Sequence, residues 1–145
     1  MRRVLSLLPL MVLAACAASP TASPQLNQEG KQFLQPSPDR GALYVYREGW
    51  MGIARPVDVV VAGGAQARLG HNTYLRVDGP PGPLEVACKA GDGTSTRQID
   101  VQPGQTRYVA VSMSAGLWGP GCEVAEVSPD QGQSAIRGAR RIEWQ

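Results

Sequence analysis

From residue 42 onward the chain alternates apolar and polar residues in short runs that glycine and proline separate. In "ALYVYRE", Leu43 and Val45 fall on one face and Tyr44 and Tyr46 on the other, as the two-residue period of a strand requires. Comparable runs recur roughly every 8–12 residues, at "PVDVVVA", "PLEVACKA", "STRQIDV", "TRYVAVSM" and "CEVAEV". The pattern predicts an all-β domain of about seven or eight mostly antiparallel strands, a β-sandwich with a small β-barrel as the alternative.

The C-terminal segment has a different pattern, "SPDQGQSAIRG". Ser128 is suited to cap a helix, Pro129 to occupy its first position, and Gln131 to lie three residues after the cap. We therefore expect a short C-terminal helix at about 129–137, which Gly132 weakens.

The N-terminus has the order of an export signal, with Arg2 and Arg3 before an apolar run from Val4 to Leu13. This run is shorter than the roughly 20 residues that span a bilayer. "LAAC" (13–16) resembles the bacterial lipobox, which implies a signal peptide over 1–15, a diacylglyceryl group on the Cys16 sulfur and an acylated new N-terminus. The alternative is a plain secretory signal in which Cys16 is incidental.

Several acyl chains on Cys16 would anchor the protein stably, because one chain alone holds only marginally. Ala17 and Ala18 follow without an Asp, a pattern that resembles sorting to the outer membrane, facing the periplasm. Residues 16–38 are rich in proline and small polar residues and are expected to form the lipidated N-terminus and a flexible tether that reaches on the order of 60–70 Å when extended. Phe33 and Leu34 are its candidates for packing on the domain, a single β domain over 39–145.

Composition limits the partners of the exported chain. Removing 15 residues from 145 leaves 130, with twelve basic and twelve acidic residues. This length suits one domain, and the neutral balance gives no indication of nucleic-acid binding. Cys88 and Cys122 remain as a pair, which in an oxidising periplasm predicts a disulfide. Two buried free thiols are the alternative.

Several motifs, in their order along the chain, resemble a bacterial lipoprotein family called domain of unknown function two-eight-four-six. They are Tyr44 to Arg47, Gly70 to Tyr74, Pro81-Gly82, and Pro103-Gly104 followed by Tyr108-Val109. The resemblance covers about 31–135 and departs from the family where a histidine often follows the turn in "DGPPGPLEV". It supports the β fold and implies no established activity.

The sequence contains little that points to catalysis. His71 is its single histidine, in the turn-like "GHN", and no serine, cysteine or aspartate has a spacing that marks it as a catalytic partner. The acidic residues are scattered, which predicts neither a metal site nor a paired-carboxylate site. We therefore predict no catalytic residues, no metal and no cofactor.

Two surfaces are candidates for binding. Tyr44, Tyr46 and Arg47 on outward strand positions could form a flat surface, or could serve only cross-strand packing. The loop "SAGLWGPGC" carries Trp118, which would contact a partner if exposed and plug the sandwich if buried.

These expectations favour a membrane-anchored periplasmic lipoprotein that acts as a non-enzymatic binding or envelope-assembly module. Its partners would be the membrane, through Cys16, and an envelope protein. The alternative function is a small periplasmic hydrolase, with His71 grouped with a nucleophile or carboxylate, or an accessory subunit of an envelope enzyme.

Overall fold

A computed structural model describes residues 18–62, 64–91 and 93–145, so the predicted signal peptide and Cys16 lie outside the described residues. Within that part the chain forms nine strands and two short helices. The runs of alternating apolar and polar residues form strands, and the bounds of these strands lie within a few residues of those expected from the sequence. The strands are β1 (Gly41–Arg47), β2 (Val57–Val61), β3 (Ala65–Leu69), β4 (Thr73–Gly79), β5 (Gly82–Ala90), β6 (Gly93–Val101), β7 (Thr106–Ala115), β8 (Pro120–Val127) and β9 (Arg140–Arg141).

The strands form two stacked sheets, and the predicted β-sandwich is confirmed. One sheet has the order β8-β7-β1-β4-β9 and the other has the order β3-β2-β5-β6. Most neighbours are antiparallel, but β1 pairs with β7, and β4 with β9, in parallel. The core between the sheets is made largely of the inward valines and leucines, including Leu43, Val45, Val59 and Val109.

The C-terminal helix α2 spans Pro129–Arg137, as its capping residues predict. The backbone N–H of Gln131 donates to Ser128 Oγ at 3.3 Å, which satisfies one of the free donors of the first turn. Ile136 on this helix is fully buried against the outer face of the first sheet.

The expected flexible tether over 16–38 is wrong for the residues that the structure describes. Helix α1 (Pro24–Gly30) forms within it, with Ser23 as the N-cap. The helix lies on the sheet because the Tyr44 hydroxyl donates to the Gly30 carbonyl at 2.7 Å and the Tyr74 hydroxyl to the Asn27 carbonyl at 3.1 Å. Before the helix, Thr21 bridges to Ile142.

Phe33 does pack on the domain, as expected. Its ring lies 5.8 Å from that of Tyr44 and 6.4 Å from that of Tyr108. Together α1, Phe33 and α2 cover the outer face of the first sheet, while the second sheet covers its inner face. All seven residues of β1 are therefore buried.

Candidate functional site

Tyr44 and Tyr46 do not form an exposed surface, and that part of the predicted binding surface is wrong. Both side chains are almost completely buried because the helices and Phe33 cover the sheet face to which they point. The Tyr44 ring stacks on Tyr108 at 5.3 Å, and the Arg76 guanidinium lies over it at 5.3 Å. The alternative role, cross-strand packing with a cation–π contact, is the one observed.

The two tyrosines differ in how their hydroxyls are satisfied. Tyr44 donates to Gly30 and accepts from Arg76 Nη1 at 3.0 Å, whereas Tyr46 Oη is buried with no hydrogen-bond partner among the described residues. Burial, together with the nearby Glu48 carboxylate, raises the pKa of Tyr46 to about 12. The neutral hydroxyl is therefore the buried form.

Because of this difference, Tyr44→Phe and Tyr46→Phe, which remove the same hydroxyl group from the same strand, should differ in their effect on stability. We expect Tyr44→Phe to lower the free energy of unfolding by about 1–2 kcal/mol, because buried partners lose a hydrogen bond. Tyr46→Phe should leave stability unchanged or raise it by about 1 kcal/mol, because it removes an unsatisfied buried hydroxyl. Urea unfolding of both variants measures the difference. Equal destabilisation by the two would contradict this account.

Arg47 is also buried, at 4% exposure, but on the opposite face of β1, towards the second sheet. Its guanidinium donates to backbone carbonyls only. Nη2 donates to Met51 at 3.0 Å and Gly52 at 3.2 Å, and Nη1 to Arg55 at 2.9 Å and Leu69 at 3.4 Å. None of the described ion pairs includes Arg47, and burial lowers its pKa. Arg47 therefore acts as a positioning residue for the loop at 48–56.

The loop that Arg47 holds carries exposed apolar side chains. Trp50 is 81% exposed, and Met51 and Ile53 are also exposed. Gly52, at φ +64°, allows the loop to lie directly on Met113, because a Cβ at this position would collide with the Met113 sulfur. The loop thus packs against β7 while its large side chains face solvent.

Trp118 lies at the tip of the β7–β8 hairpin and is 94% exposed, and its neighbour Leu117 is 97% exposed. Of the two alternatives for this loop, the exposed one is therefore observed. The hairpin and the 48–56 loop share one groove of about 350 Å³, lined by Met51, Gly52, Arg55 and Met113 together with residues 114–116, 119 and 120. Both loops lie at the end of the sandwich where β1 finishes, because Arg47 pairs with Val111 of β7.

We call this surface the apolar end, defined by Trp50, Met51, Ile53, Leu117 and Trp118. Exposed apolar side chains on two loops that share a groove mark contact sites more often than isolated ones do. The sequence pattern pointed to Trp118 but not to Trp50, Met51 and Ile53. Their signal was the apolar "WMGI" inside a loop that contains two glycines.

The predicted disulfide is confirmed and supports the apolar end. Cys88 of β5 bonds to Cys122 of β8, with the two Cα atoms 6.2 Å apart. Cys122 comes two residues after Pro120, where β8 begins. The bond therefore links the base of the Trp118 hairpin to the second sheet.

His71 lies in the β3–β4 turn, in a pocket lined by Thr21, Asn72, Thr73, Gly138 and Arg140. This lining contains no thiol or carboxylate, and the Thr73 hydroxyl donates to the Gly70 carbonyl at 2.8 Å. Among the described residues, no group of three or more His, Cys, Asp or Glu side chains is arranged to hold a metal. The grouping that the hydrolase alternative requires is not seen around His71.

In the part of the chain that the structure describes, no helix has the length and apolar character to cross a bilayer.

The chain is similar to an uncharacterized protein from Haemophilus influenzae, with 23% identity over 126 residues that cover 87% of this chain and 75% of the relative. No family model matches the sequence, and no solved structure matches it. The likeness to the Haemophilus influenzae protein extends across the sandwich and gives no activity.

Proposed function

We propose that this protein is a lipid-anchored lipoprotein of the cell envelope, of the kind that the family called domain of unknown function two-eight-four-six represents. It is a non-enzymatic binding or assembly module in the periplasm, most simply on the outer membrane. The lipobox-like "LAAC" before a folded, disulfide-bonded sandwich supports the anchor and the oxidising compartment.

The single observation that carries the binding role is the apolar end. Two loops from different parts of the chain present Trp50, Leu117 and Trp118 almost fully to solvent. Both loops are held from inside the fold, one by the three loop carbonyls to which Arg47 donates and the other by the disulfide at its base. Large apolar side chains on supported loops are suited to binding, because little conformational entropy is lost when they are covered.

In-cell photocrosslinking tests this function with a matched control. A photoreactive residue replaces Trp50 in one variant and Trp118 in another. In the control it replaces Gln105, which is exposed at the opposite end of the sandwich. Each variant is made with and without Cys16→Ser. We expect products from positions 50 and 118, none from 105, and their loss in Cys16→Ser, because the domain is then no longer held at the membrane. Products from all three positions alike, or from none, would rule out the apolar end as the contact surface.

A further inference from the structure

The described chain begins at the same end of the sandwich as the exposed tryptophans. The Ser19 N–H donates to the Arg68 carbonyl at 3.2 Å, and the Arg68 N–H donates to Ser19 Oγ at 2.8 Å. These bonds hold Ser19 beside the last residues of β3, where Leu69 pairs with Val57. Val57 is the first residue after the 48–56 loop, so the described chain begins next to that loop.

Covalent geometry then limits how far the lipid site can be from the fold. Cys16 precedes Ala18 by two residues, and two residues span at most about 7 Å between Cα atoms. The folded N-terminal segment thus replaces a tether with a very short link. If Cys16 carries acyl chains, this end of the sandwich lies at the membrane surface.

Ala18, where the described chain begins, and the Trp118 hairpin lie at different places across this end. Ala18 lies against Gly70, near the start of β4, and the Trp118 hairpin continues β7 and β8, two to three strands away in the same sheet. At a strand spacing of about 4.8 Å these points are on the order of 10–15 Å apart. The 48–56 loop, which follows β1, lies between them.

The hairpin also continues past the end of β1. Val111 pairs with Arg47, the last residue of β1, and β7 continues to Ala115 before the turn. Four further residues of strand extend about 13 Å. Leu117 and Trp118 are therefore placed well beyond the end of β1, where they can contact whatever lies opposite this end.

The chemistry of the exposed residues fits a bilayer interface. Tryptophan is enriched where lipid headgroups meet acyl chains, because its ring is apolar and its N–H needs a polar partner. Leucine, isoleucine and methionine beside it suit the shallow apolar layer that interfacial segments enter. Arg55 is exposed on the same loop and is suited to contact headgroup phosphates.

We propose that the apolar end docks on the membrane that holds the Cys16 acyl chains, so that the bilayer itself is the surface that this module binds. The inference rests on the proposed function, specifically on the lipid anchor. A link of about 7 Å leaves too little space for a folded partner between the lipid headgroups and the side of this end that carries Ala18. The Trp118 hairpin lies only on the order of 10–15 Å further along the same end. The end that carries Gln105 then faces the periplasm.

Fluorescence quenching of the intact lipoprotein tests this inference. The full chain is purified from membranes and reconstituted in phosphatidylethanolamine–phosphatidylglycerol vesicles that contain lipids brominated near the acyl carbonyl end. One variant keeps Trp118 (Trp50→Phe with Trp144→Phe) and another keeps Trp50 (Trp118→Phe with Trp144→Phe). In the control all three tryptophans are replaced by phenylalanine and Gln105→Trp is added. Flotation shows whether each protein is held by the vesicles.

We expect emission from Trp50 and Trp118 to fall to about half, because interfacial side chains lie at the depth of these bromines, and emission from the control at position 105 to be unchanged. The docking is overturned if the vesicle-bound protein shows no quenching at positions 50 and 118, or equal quenching at position 105. The proposed function, a lipid-anchored binding module, would then still stand. Crosslinks from position 118 that go only to a protein overturn it as well. Protein that does not float with the vesicles overturns the lipid anchor, and the docking with it.

Discussion

Replacing Arg47 with methionine is expected to lower the free energy of unfolding by about 3 kcal/mol and to release the 48–56 loop. The substitution keeps an aliphatic stem of similar length but removes the donors that satisfy the carbonyls of Met51, Gly52, Arg55 and Leu69. Hydrogen bonds from a charged donor are worth more than neutral ones, and a buried carbonyl left unpaired is costly.

Urea unfolding measures the global effect, and amide hydrogen exchange over residues 48–56 measures the local one. Arg47→Lys is the matched variant, because it keeps the charge while a single ammonium cannot reach four carbonyls in a fixed fork. It should recover only part of the stability. An Arg47→Met protein with unchanged stability and unchanged exchange in the loop would show that Arg47 does not position it.

Loss of the disulfide is expected to have a comparable effect. The Cys88–Cys122 bond closes a loop with a sequence separation of 34. On the chain-entropy treatment of the unfolded state, the Cys88→Ala, Cys122→Ala double variant should lose about 3–4 kcal/mol. Denaturant unfolding of the variant, compared with the oxidised protein, measures the loss.

Reduction of the natural protein distinguishes the effect of losing the disulfide bond from the effect of the smaller alanine side chains. If the bond carries the effect, the reduced protein should lose nearly as much stability as the double variant. A reduced protein as stable as the oxidised one would contradict the prediction. Because the bond ties the base of the Trp118 hairpin to the second sheet, its loss should also broaden the set of crosslinks formed from position 118.

The arrangement gives separate tasks to the two faces of β1. Tyr44 and Tyr46 on the outer face receive α1, Phe33 and α2, and so bring the start of the described chain onto the sandwich. Arg47, at the end of the inner face, organises the loop that carries Trp50. The "YVYR" motif therefore connects the position of the proposed anchor with the shape of the apolar end.

Much of the fold followed from local patterns in the sequence. The two-residue period places Leu43 and Val45 opposite Tyr44 and Tyr46, and the observed strand has those faces. Ser128, Pro129 and Gln131 define the start of α2 because capping depends on neighbouring residues alone. The pairing of Cys88 with Cys122 follows from the two cysteines that remain after Cys16, given an oxidising compartment.

The tertiary structure alone decided which surfaces remain exposed. The segment before Gly41 has no apolar periodicity, so its docking depends on long-range partners, such as the hydroxyls of Tyr44 and Tyr74, that no local pattern reveals. Its docking buried the predicted tyrosine surface and replaced a long tether with a short link. A charged side chain such as Arg47 is expected to be exposed, although the two-residue period places it on the same face as Leu43 and Val45. Only the folded protein supplies the carbonyls, three from the loop and one from Leu69 of β3, that make its burial favourable. The apolar end likewise forms only because folding brings together, beside β7, two loops that are more than sixty residues apart in the chain.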